Sequence, residues 1–234
     1  MRRTGNLVAA CAVAAAVLTA LAAENPSPAR ASAAHRLYAI GSDVAIPRPG
    51  RLALRAGPGS RRVLARVGRR TVFGTPTRLA VVGSSGEWLA VVSAMLGNRV
   101  RGFIHRSSVR LVHDPFSLEI DLSARRLTVW RMGAALRRVA IGIGGRASPT
   151  PAGRFSITDK LTNFMPSVYG CCILALSGRQ TRIPQGWRGG ARLAIHVGSV
   201  VGGTVSAGCV RASERDVRYL MRILPLGTQV VIHA

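Results

Sequence analysis

The sequence has little acidic charge, few aromatic residues and almost no lysine. Among 234 residues, 9 are Asp or Glu and 33 are Lys or Arg, of which Lys160 is the single lysine, and 5% are aromatic. It contains no heptad or Gly-x-y repeat, which excludes a coiled coil and collagen. It also lacks acidic clusters and the His-x-x-x-His and Cys-x-x-Cys spacings of metal sites, so we expect no metal and no cofactor.

The composition is that of a folded, strand-rich protein. Hydrophobic residues make up 48% of the chain and charged residues 18%, which excludes a wholly disordered protein. Its 26 glycines and 12 prolines interrupt short apolar runs, a pattern that favours strands and turns over long helices. The formal net charge of +24 predicts an anionic partner, which by charge alone is a nucleic acid, an anionic lipid or an acidic wall polymer.

The N-terminus has the layout of a secretory signal. Two arginines precede an uncharged run from Leu7 to Ala23, and small-residue cleavage motifs occur at Ala20–Ala22 and Ala31–Ala33. We predict a signal peptide over residues 1–33, cleaved near residue 22 or 33, and an exported protein of the cell envelope. The run is short for a membrane span, so we expect no stable span, with an uncleaved anchor as the alternative. Export leaves anionic cell-wall polymers as partners and removes nucleic acid.

The next part of the chain has short apolar runs separated by glycine turns. These runs are Leu52–Leu54, Val63–Ala65, Leu79–Val82, Trp88–Val92 and Phe103–Ile104. Their spacing favours a small β-barrel. The stretches Leu52–Pro58, Gly86–Trp88 and Arg101–His105 resemble the bacterial SH3-like wall module, and we assign residues 34–115 to it. For Trp88 and His105, core packing is a better interpretation than ligand stacking.

After Pro115 the pattern restarts as a strand meander and ends with a helix. The alternating runs are Ser117–Leu122, Leu127–Trp130 and Val139–Gly142. Ser213 predicts a helix N-cap, followed by an apolar stripe through Leu224. Pro225 ends the helix before a last strand at Val230–Ile232. The predicted fold class is therefore mainly β, with one or two short helices in the C-terminal part.

Two short stretches carry the residue types of cysteine catalysis. Ile195–Ser199 contains His196, and Ser206–Arg211 contains Cys209 after a glycine. A cysteine is a weak nucleophile until an imidazole takes its proton, so Cys209 is the candidate nucleophile and His196 the candidate base.

The residues beside Cys209 suggest supporting roles. The amides of Gly208 and Cys209 are placed to face a developing oxyanion. Arg211 is a candidate for orienting the turn or holding a substrate carboxylate.

Three cysteines remain after the predicted processing, so at least one thiol is expected to be free. They are Cys171, Cys172 and Cys209. A disulfide between adjacent cysteines is rare, so Cys171 and Cys172 are predicted to be two separate thiols.

The region from Leu118 to Ile232 resembles the YkuD-type L,D-transpeptidase catalytic domain. The resemblance rests on the stretches Ile195–Ser199 and Ser206–Arg211, on Ala147–Phe155 and on the pair Tyr169-Gly170. It implies a β-rich catalytic domain, which we place at residues 116–234.

The same resemblance implies roles for further residues. Tyr169, Ser206 and Arg211 would bind substrate, and a backbone carbonyl of Gly198 or Ser199 would orient the histidine. Two departures from the family pattern are expected to alter substrate contacts more than acylation: Val197 in place of a glycine and Ala207 in place of a histidine.

The activity implied is peptide-bond exchange in peptidoglycan. Cys209 would attack the third residue of a tetrapeptide stem and expel the terminal D-Ala. The side-chain amine of another stem would resolve the thioester and give a 3→3 cross-link. Carbapenem acylation of Cys209 is also implied.

Three other functions stay open at this stage. An L,D-carboxypeptidase or wall hydrolase would use the same Cys-His site with water as the acceptor. A non-catalytic wall-binding protein would keep the fold and lose the reaction, which the presence of His196, Cys209 and Arg211 disfavours. A nucleic-acid binder is supported by charge alone and requires a cytoplasmic mature chain.

Overall fold

A computed structural model describes most of the chain. It covers Tyr38 and residues 40–162, 169–187, 190–198 and 203–234. The predicted signal peptide and Ser199 lie outside the described residues. Within these ranges, no helix has the length and apolar content needed to cross a membrane.

Seven strands form the first sheet, and all their pairings are antiparallel. They are β1 (Ser42–Pro47), β2 (Leu52–Arg55), β3 (Val63–Val67), β4 (Leu79–Ser85), β5 (Trp88–Val91), β6 (Gly102–His105) and β7 (Val109–Asp114), with a 3-10 turn at Arg106–Ser108. Their order is β3-β2-β6-β5-β4-β1-β7. The predicted strands β2 to β6 are confirmed, whereas β1 and β7 were not predicted. The SH3-like resemblance and the boundaries 34–115 stay predictions.

The second sheet contains eight strands and carries the C-terminal half. Its elements are β8 (Phe116–Asp121), β9 (Arg126–Arg131), β10 (Ala134–Ala140), β12 (Gly153–Thr162), β13 (Cys172–Arg179), β14 (Arg192–Val197), β16 (Val210–Ala212) and β17 (Gln229–His233). Their order is β10-β9-β8-β17-β12-β13-β14-β16. Strands β11 (Ile143–Gly144) and β15 (Thr204–Ser206) form a separate parallel pair. The mainly β fold class is confirmed.

One helix, α1 (Glu214–Ile223), packs on the second sheet. Ser213 is its N-cap, because the side chain accepts a hydrogen bond from the Asp216 amide, as the sequence predicted. Val217 and Leu220 on its inner face are fully buried, and Leu224 caps the other end. The helix therefore covers the face of the sheet opposite the site described below.

Each sheet has its own hydrophobic core. A cluster of nine buried aliphatic residues lies within the first sheet region, and a cluster of twenty buried residues includes side chains of the second sheet and of α1. The twenty-residue cluster contains the interior residues Ile195 and Val210, which fix the strands that carry the site.

Polar side chains join the two sheets. These hydrogen bonds pair Gln229 with Val81 (2.6 Å), Thr228 with Asp114 (2.6 Å), Asn98 with Arg179 (2.7 Å) and Thr71 with Asp159. The first sheet and the loops that carry Thr71 and Asn98 therefore contact several strands of the second sheet, among them β12 and the end of β13.

Candidate active site

Two parallel neighbouring strands bring the predicted pair together. Strands β14 and β16 pair in parallel, with His196 opposite Arg211 and Ile195 opposite Val210. Side chains alternate along a strand, so Ile195 and Val210 enter the core, whereas His196 and Arg211 point to the opposite face of the sheet. Cys209 immediately precedes β16. His196, Cys209 and Arg211 line one cleft.

His196 is buried and held in one orientation. Only 3% of its surface is exposed, and its Nδ1 lies 2.8 Å from the Val197 carbonyl oxygen. A carbonyl can only accept, so Nδ1 carries the proton and Nε2 is the basic nitrogen. Burial lowers the pKa of His196 to about 4. The hydrogen bond to Val197 raises this pKa, and the positive charge of Arg211 lowers it. The imidazole is therefore neutral at neutral pH.

The carbonyl that orients His196 differs from the one predicted. It belongs to Val197, whereas Gly198 donates its N–H to Ala212 and Ser199 lies outside the described residues. A Cβ on Gly198 would lie 2.5 Å from Arg211 Cδ. Gly198 therefore makes space for the arginine and does not orient the histidine. The prediction failed because two consecutive carbonyls cannot be distinguished from sequence.

Cys209 is the free cysteine of the described chain, and it is partly buried. Its Sγ lies 3.9 Å from the Arg192 carbonyl oxygen. Burial raises the pKa of the Cys209 thiol, although a hydrogen bond from the Ala194 backbone and the charge of Arg211 both lower it. The thiol therefore keeps its proton until a base removes it.

The turn before Cys209 is fixed by Ser206. The Ser206 hydroxyl donates to the Cys209 carbonyl (2.5 Å) and accepts from the Gly208 amide (3.1 Å). This corrects the expectation that the Gly208 amide faces an oxyanion, because that N–H is already engaged. Ser206 also lines the cleft. Both hydrogen bonds of its hydroxyl are made within the turn, to residues 208 and 209.

Gln180 is a site residue that the sequence analysis missed. Its Nε2 donates to the carbonyls of Ala207 (3.1 Å) and Pro149 (3.0 Å), so it ties the turn before the cysteine to a distant loop. Gly208 has φ +114°, and a Cβ there would lie 2.0 Å from Gln180 Nε2. Glycine is therefore required at Gly208 by both backbone conformation and space. No local sequence pattern identifies this glutamine, because the two carbonyls to which it donates are 31 and 27 residues away in the sequence.

Tyr169 lies against the histidine as part of the same cleft. Its ring is perpendicular to the His196 ring at 4.9 Å between centroids. Burial raises the pKa of Tyr169, and so does the proximity of Cys209. A Cβ on Gly170 would lie 2.5 Å from Cβ of Val197. The valine that replaces the family glycine therefore packs directly against the glycine after Tyr169.

Cys171 and Cys172 form a disulfide, which corrects the prediction of two separate thiols. The bond follows Tyr169-Gly170 and leads into β13, where Ile173 pairs with His196. Their adjacency in the sequence made the bond improbable by frequency, but the turn at this point brings the two sulfur atoms together.

Arg192 connects the cleft, through Asp159, to the loop between β3 and β4. The residue lines the cleft, and its guanidinium donates to Thr158 Oγ1 (3.0 Å) and to Leu176 O (3.1 Å). Arg192 Nη1 also lies 3.9 Å from Oδ2 of Asp159, whose other oxygen accepts from Thr71 in the loop between β3 and β4. Support for the cleft therefore includes a loop residue from the N-terminal half of the chain.

The cleft is narrow, with a volume of about 80 Å³. Its remaining wall is formed by Ile183, Pro184, Trp187, Gly190 and Ala191. Over the described ranges, no three His, Cys, Asp or Glu side chains come together as a metal site. The arrangement therefore offers a thiol, a neutral imidazole and a guanidinium beside an apolar wall.

A family model described as the YkuD L,D-transpeptidase catalytic domain matches residues 115–232. The chain is 29% identical over 118 residues to the Putative L,D-transpeptidase YkuD of Bacillus licheniformis, a match that covers 50% of this chain and 66% of that relative. The chain thus spans just under two thirds of the length of this curated relative.

Two solved structures are similar at low identity. A mutant Enterococcus faecium L,D-transpeptidase aligns with TM-score 0.43 and 16% identity, covering 67% of this chain and 75% of that one. The L,D-transpeptidase LdtMt1 in complex with imipenem aligns with TM-score 0.44 and 17% identity, covering 80% and 100%. Because the family model spans half of its residues, the chain belongs to the YkuD family of L,D-transpeptidase catalytic domains.

Proposed function

We propose that this protein is a peptidoglycan L,D-transpeptidase that forms 3→3 cross-links through a thioester on Cys209. The observation that carries the proposal is the shared cleft of Cys209, His196 and Arg211 in a chain of this family. The three side chains combine a nucleophile, a base and an anion-binding group, which is what acyl transfer from a stem peptide requires.

Acylation begins from a neutral pair. Because the pKa of His196 is lowered and that of Cys209 is raised, the thiol holds its proton and Nε2 of the imidazole is free at neutral pH. Sγ attacks the carbonyl carbon of the third stem residue while Nε2 takes the thiol proton. The carbonyl electron pair moves onto oxygen, and the negative charge faces the Cys209 amide.

Collapse of this intermediate breaks the peptide bond to the terminal D-Ala. The proton held by Nε2 passes to the leaving amine, and the thioester remains on Cys209. The amine of a second stem then attacks the thioester, Nε2 accepts its proton, and the thiolate leaves. Return of the proton to sulfur restores the enzyme.

Two cleft residues position the donor stem. Arg211 presents its guanidinium beside Cys209, where it binds the carboxylate of the terminal D-Ala. Tyr169 packs on the edge of His196 and narrows the cleft around an extended peptide. Ala207 also lines the cleft, where its side chain is a single methyl group.

The proposal includes location and partners. An exported protein of the cell envelope, carrying the signal predicted at its N-terminus, encounters both stem peptides and anionic wall polymers. The net charge of +24 supports retention among such polymers.

Mass spectrometry of reaction products tests the proposal. The full chain is incubated with disaccharide-tetrapeptide stems beside a Cys209→Ala control. We expect dimers that lack one D-Ala, and at least about 1,000-fold less dimer with the control. Tripeptides without dimers would assign the protein as an L,D-carboxypeptidase. Unchanged stems with the intact protein would contradict both activities.

A second probe tests the acyl-enzyme separately. Imipenem, which is bound in the LdtMt1 structure, is added to the same two proteins before intact-mass measurement. We expect one covalent adduct on the intact protein and none on Cys209→Ala. An adduct on both proteins would remove Cys209 from the proposed role.

A further inference from the structure

The outer face of the first sheet carries a pocket that the proposed reaction does not use. Strands β5 and β6 pair Trp88 directly with His105, and β2 places Arg55 opposite Phe103 on the neighbouring strand. Alternation along these strands sends Leu89 and Ile104 into the core, so Trp88, His105 and Arg55 point away from it. The expectation that Trp88 and His105 pack in the core is therefore wrong.

A loop closes one side of this pocket. Arg48 to Arg51 connect β1 to β2, and the Arg48 amide donates to the Ser108 carbonyl (3.1 Å), which fixes the loop beside the 3-10 turn. Arg48, Arg51, Arg55, Trp88 and His105 line a cavity of about 340 Å³, which we call the arginine pocket. Its volume is within the range of small-molecule sites and about four times that of the cysteine cleft.

The arginine pocket is electropositive. Three guanidinium groups line it, and none of its lining residues is acidic. Arg55 is partly fixed, since its Nη1 donates to the Ser60 carbonyl (2.9 Å), while Arg48 and Arg51 are exposed. Like charges repel each other, so this arrangement is most favourable when an anion occupies the pocket.

Trp88 and His105 supply the uncharged part of the pocket. The His105 ring meets the indole edge to face at 5.3 Å between centroids. Nδ1 of His105 accepts from the Ser107 amide, so Nε2 carries the proton and is a hydrogen-bond donor. An indole surface beside hydrogen-bond donors suits a sugar or polyol attached to the anion.

We propose that the arginine pocket binds phosphate groups of a sugar-phosphate or polyol-phosphate wall polymer. A phosphate presents its acceptor oxygens in several directions, so guanidinium groups on a loop and on a strand can reach it together, whereas one arginine fork satisfies a planar carboxylate. The choice of a wall polymer over a nucleic acid rests on the proposed function. The binding of phosphate at this pocket is independent of the proposed function.

The test uses the Trp88 indole N–H signal of the full chain in NMR spectra, assigned with Trp88→Phe. The probe is a short oligomer of glycerol phosphate. The test variant is Arg48→Gln with Arg51→Gln, and the matched control is Arg138→Gln with Arg215→Gln, which removes the same charge from exposed sites elsewhere. Thermal melts establish that both double variants are folded.

We expect the oligomer to shift the Trp88 signal saturably, with affinity at least ten-fold weaker in the test variant and within two-fold of the original in the control. A Trp88 signal that does not move, or equal weakening by both variants, would overturn the proposal. Equal affinity for oligogalacturonate or a thymidine oligonucleotide of the same charge would overturn the assigned ligand class. No step of this measurement involves Cys209, so its failure and the failure of transpeptidation are separate results.

Discussion

The two sheets bury different kinds of side chain. The hydrophobic core of the first contains nine aliphatic residues, and the carboxylate that this sheet buries, Asp114, lies at the end of its last strand. The second buries a histidine, His196, and a carboxylate, Asp159, within strands beside a cluster of twenty buried residues. Burying a polar or charged group costs free energy unless it is hydrogen-bonded. His196 meets that requirement through the Val197 carbonyl, and Asp159 through the Thr71 hydroxyl. Asp114 meets it through the Thr228 hydroxyl and the Phe116 amide.

The comparison predicts that removal of the fully buried carboxylate of the second sheet, Asp159, has the largest effect. Asp159→Ala leaves the Arg192 guanidinium without its opposite charge and Thr71 without its acceptor. We expect a loss of about 3 kcal/mol in the free energy of unfolding, measured by urea denaturation. The control is Asp43→Ala in the first sheet, whose contact with His113 is half-exposed and should contribute less than about 1 kcal/mol. Equal losses would break the comparison.

A second prediction concerns pH. The pKa of His196 is lowered from 6.5, its ordinary value, to about 4 in the folded protein. Between pH 4 and pH 6.5, the imidazole is therefore protonated in the unfolded chain and neutral in the folded protein. The contribution of His196 to the free energy of unfolding is fully present above pH 6.5. As the pH falls toward 4, this free energy decreases by up to about 3 kcal/mol. Urea unfolding at several pH values measures it. His196→Gln should lack this share of the pH dependence, and an unchanged profile in that variant would contradict the prediction.

Gly208→Ala tests how closely the second sheet supports its nucleophile. The new Cβ would overlap the Gln180 amide in a backbone conformation that favours glycine, so we expect a loss of about 2 kcal/mol and slower acylation of Cys209 by imipenem. Gly57→Ala is the matched control, because a Cβ there meets nothing within 4 Å. Its expected change is within about 0.5 kcal/mol. Similar stability of the two variants would argue against a tight turn.

The smallest effect is expected at the contact between the sheets. Asn98→Ala removes two hydrogen bonds to the Arg179 backbone, each 2.7 Å long, and should cost about 1 kcal/mol by urea denaturation. Ser85→Ala, at the exposed end of β4, is the control and should be neutral. If Asn98→Ala is also neutral, the two sheets are held by their other contacts.

Local patterns predicted much of the fold. Strands β2 to β6 and the helix α1 follow from alternating apolar residues, glycine turns and the Ser213 cap. Strands β1 and β7 were missed because they pair with each other although they are far apart in the sequence, with Ser42 opposite Asp114. Neither strand has a long apolar run, so their stability comes from this distant pairing.

What the sequence determined by itself is the pair Cys209 and His196 as candidates and the family to which the chain belongs, because both depend on residues within short motifs. Tertiary structure decided the supports of the site: the Val197 carbonyl, the Gln180 bridge and the Thr71 contact to Asp159. It also placed Trp88 outside the core. The physical reason is that hydrogen bonds, and the face of the sheet on which a side chain lies, depend on which strands are neighbours. Strands that are far apart in the chain can be neighbours in a sheet.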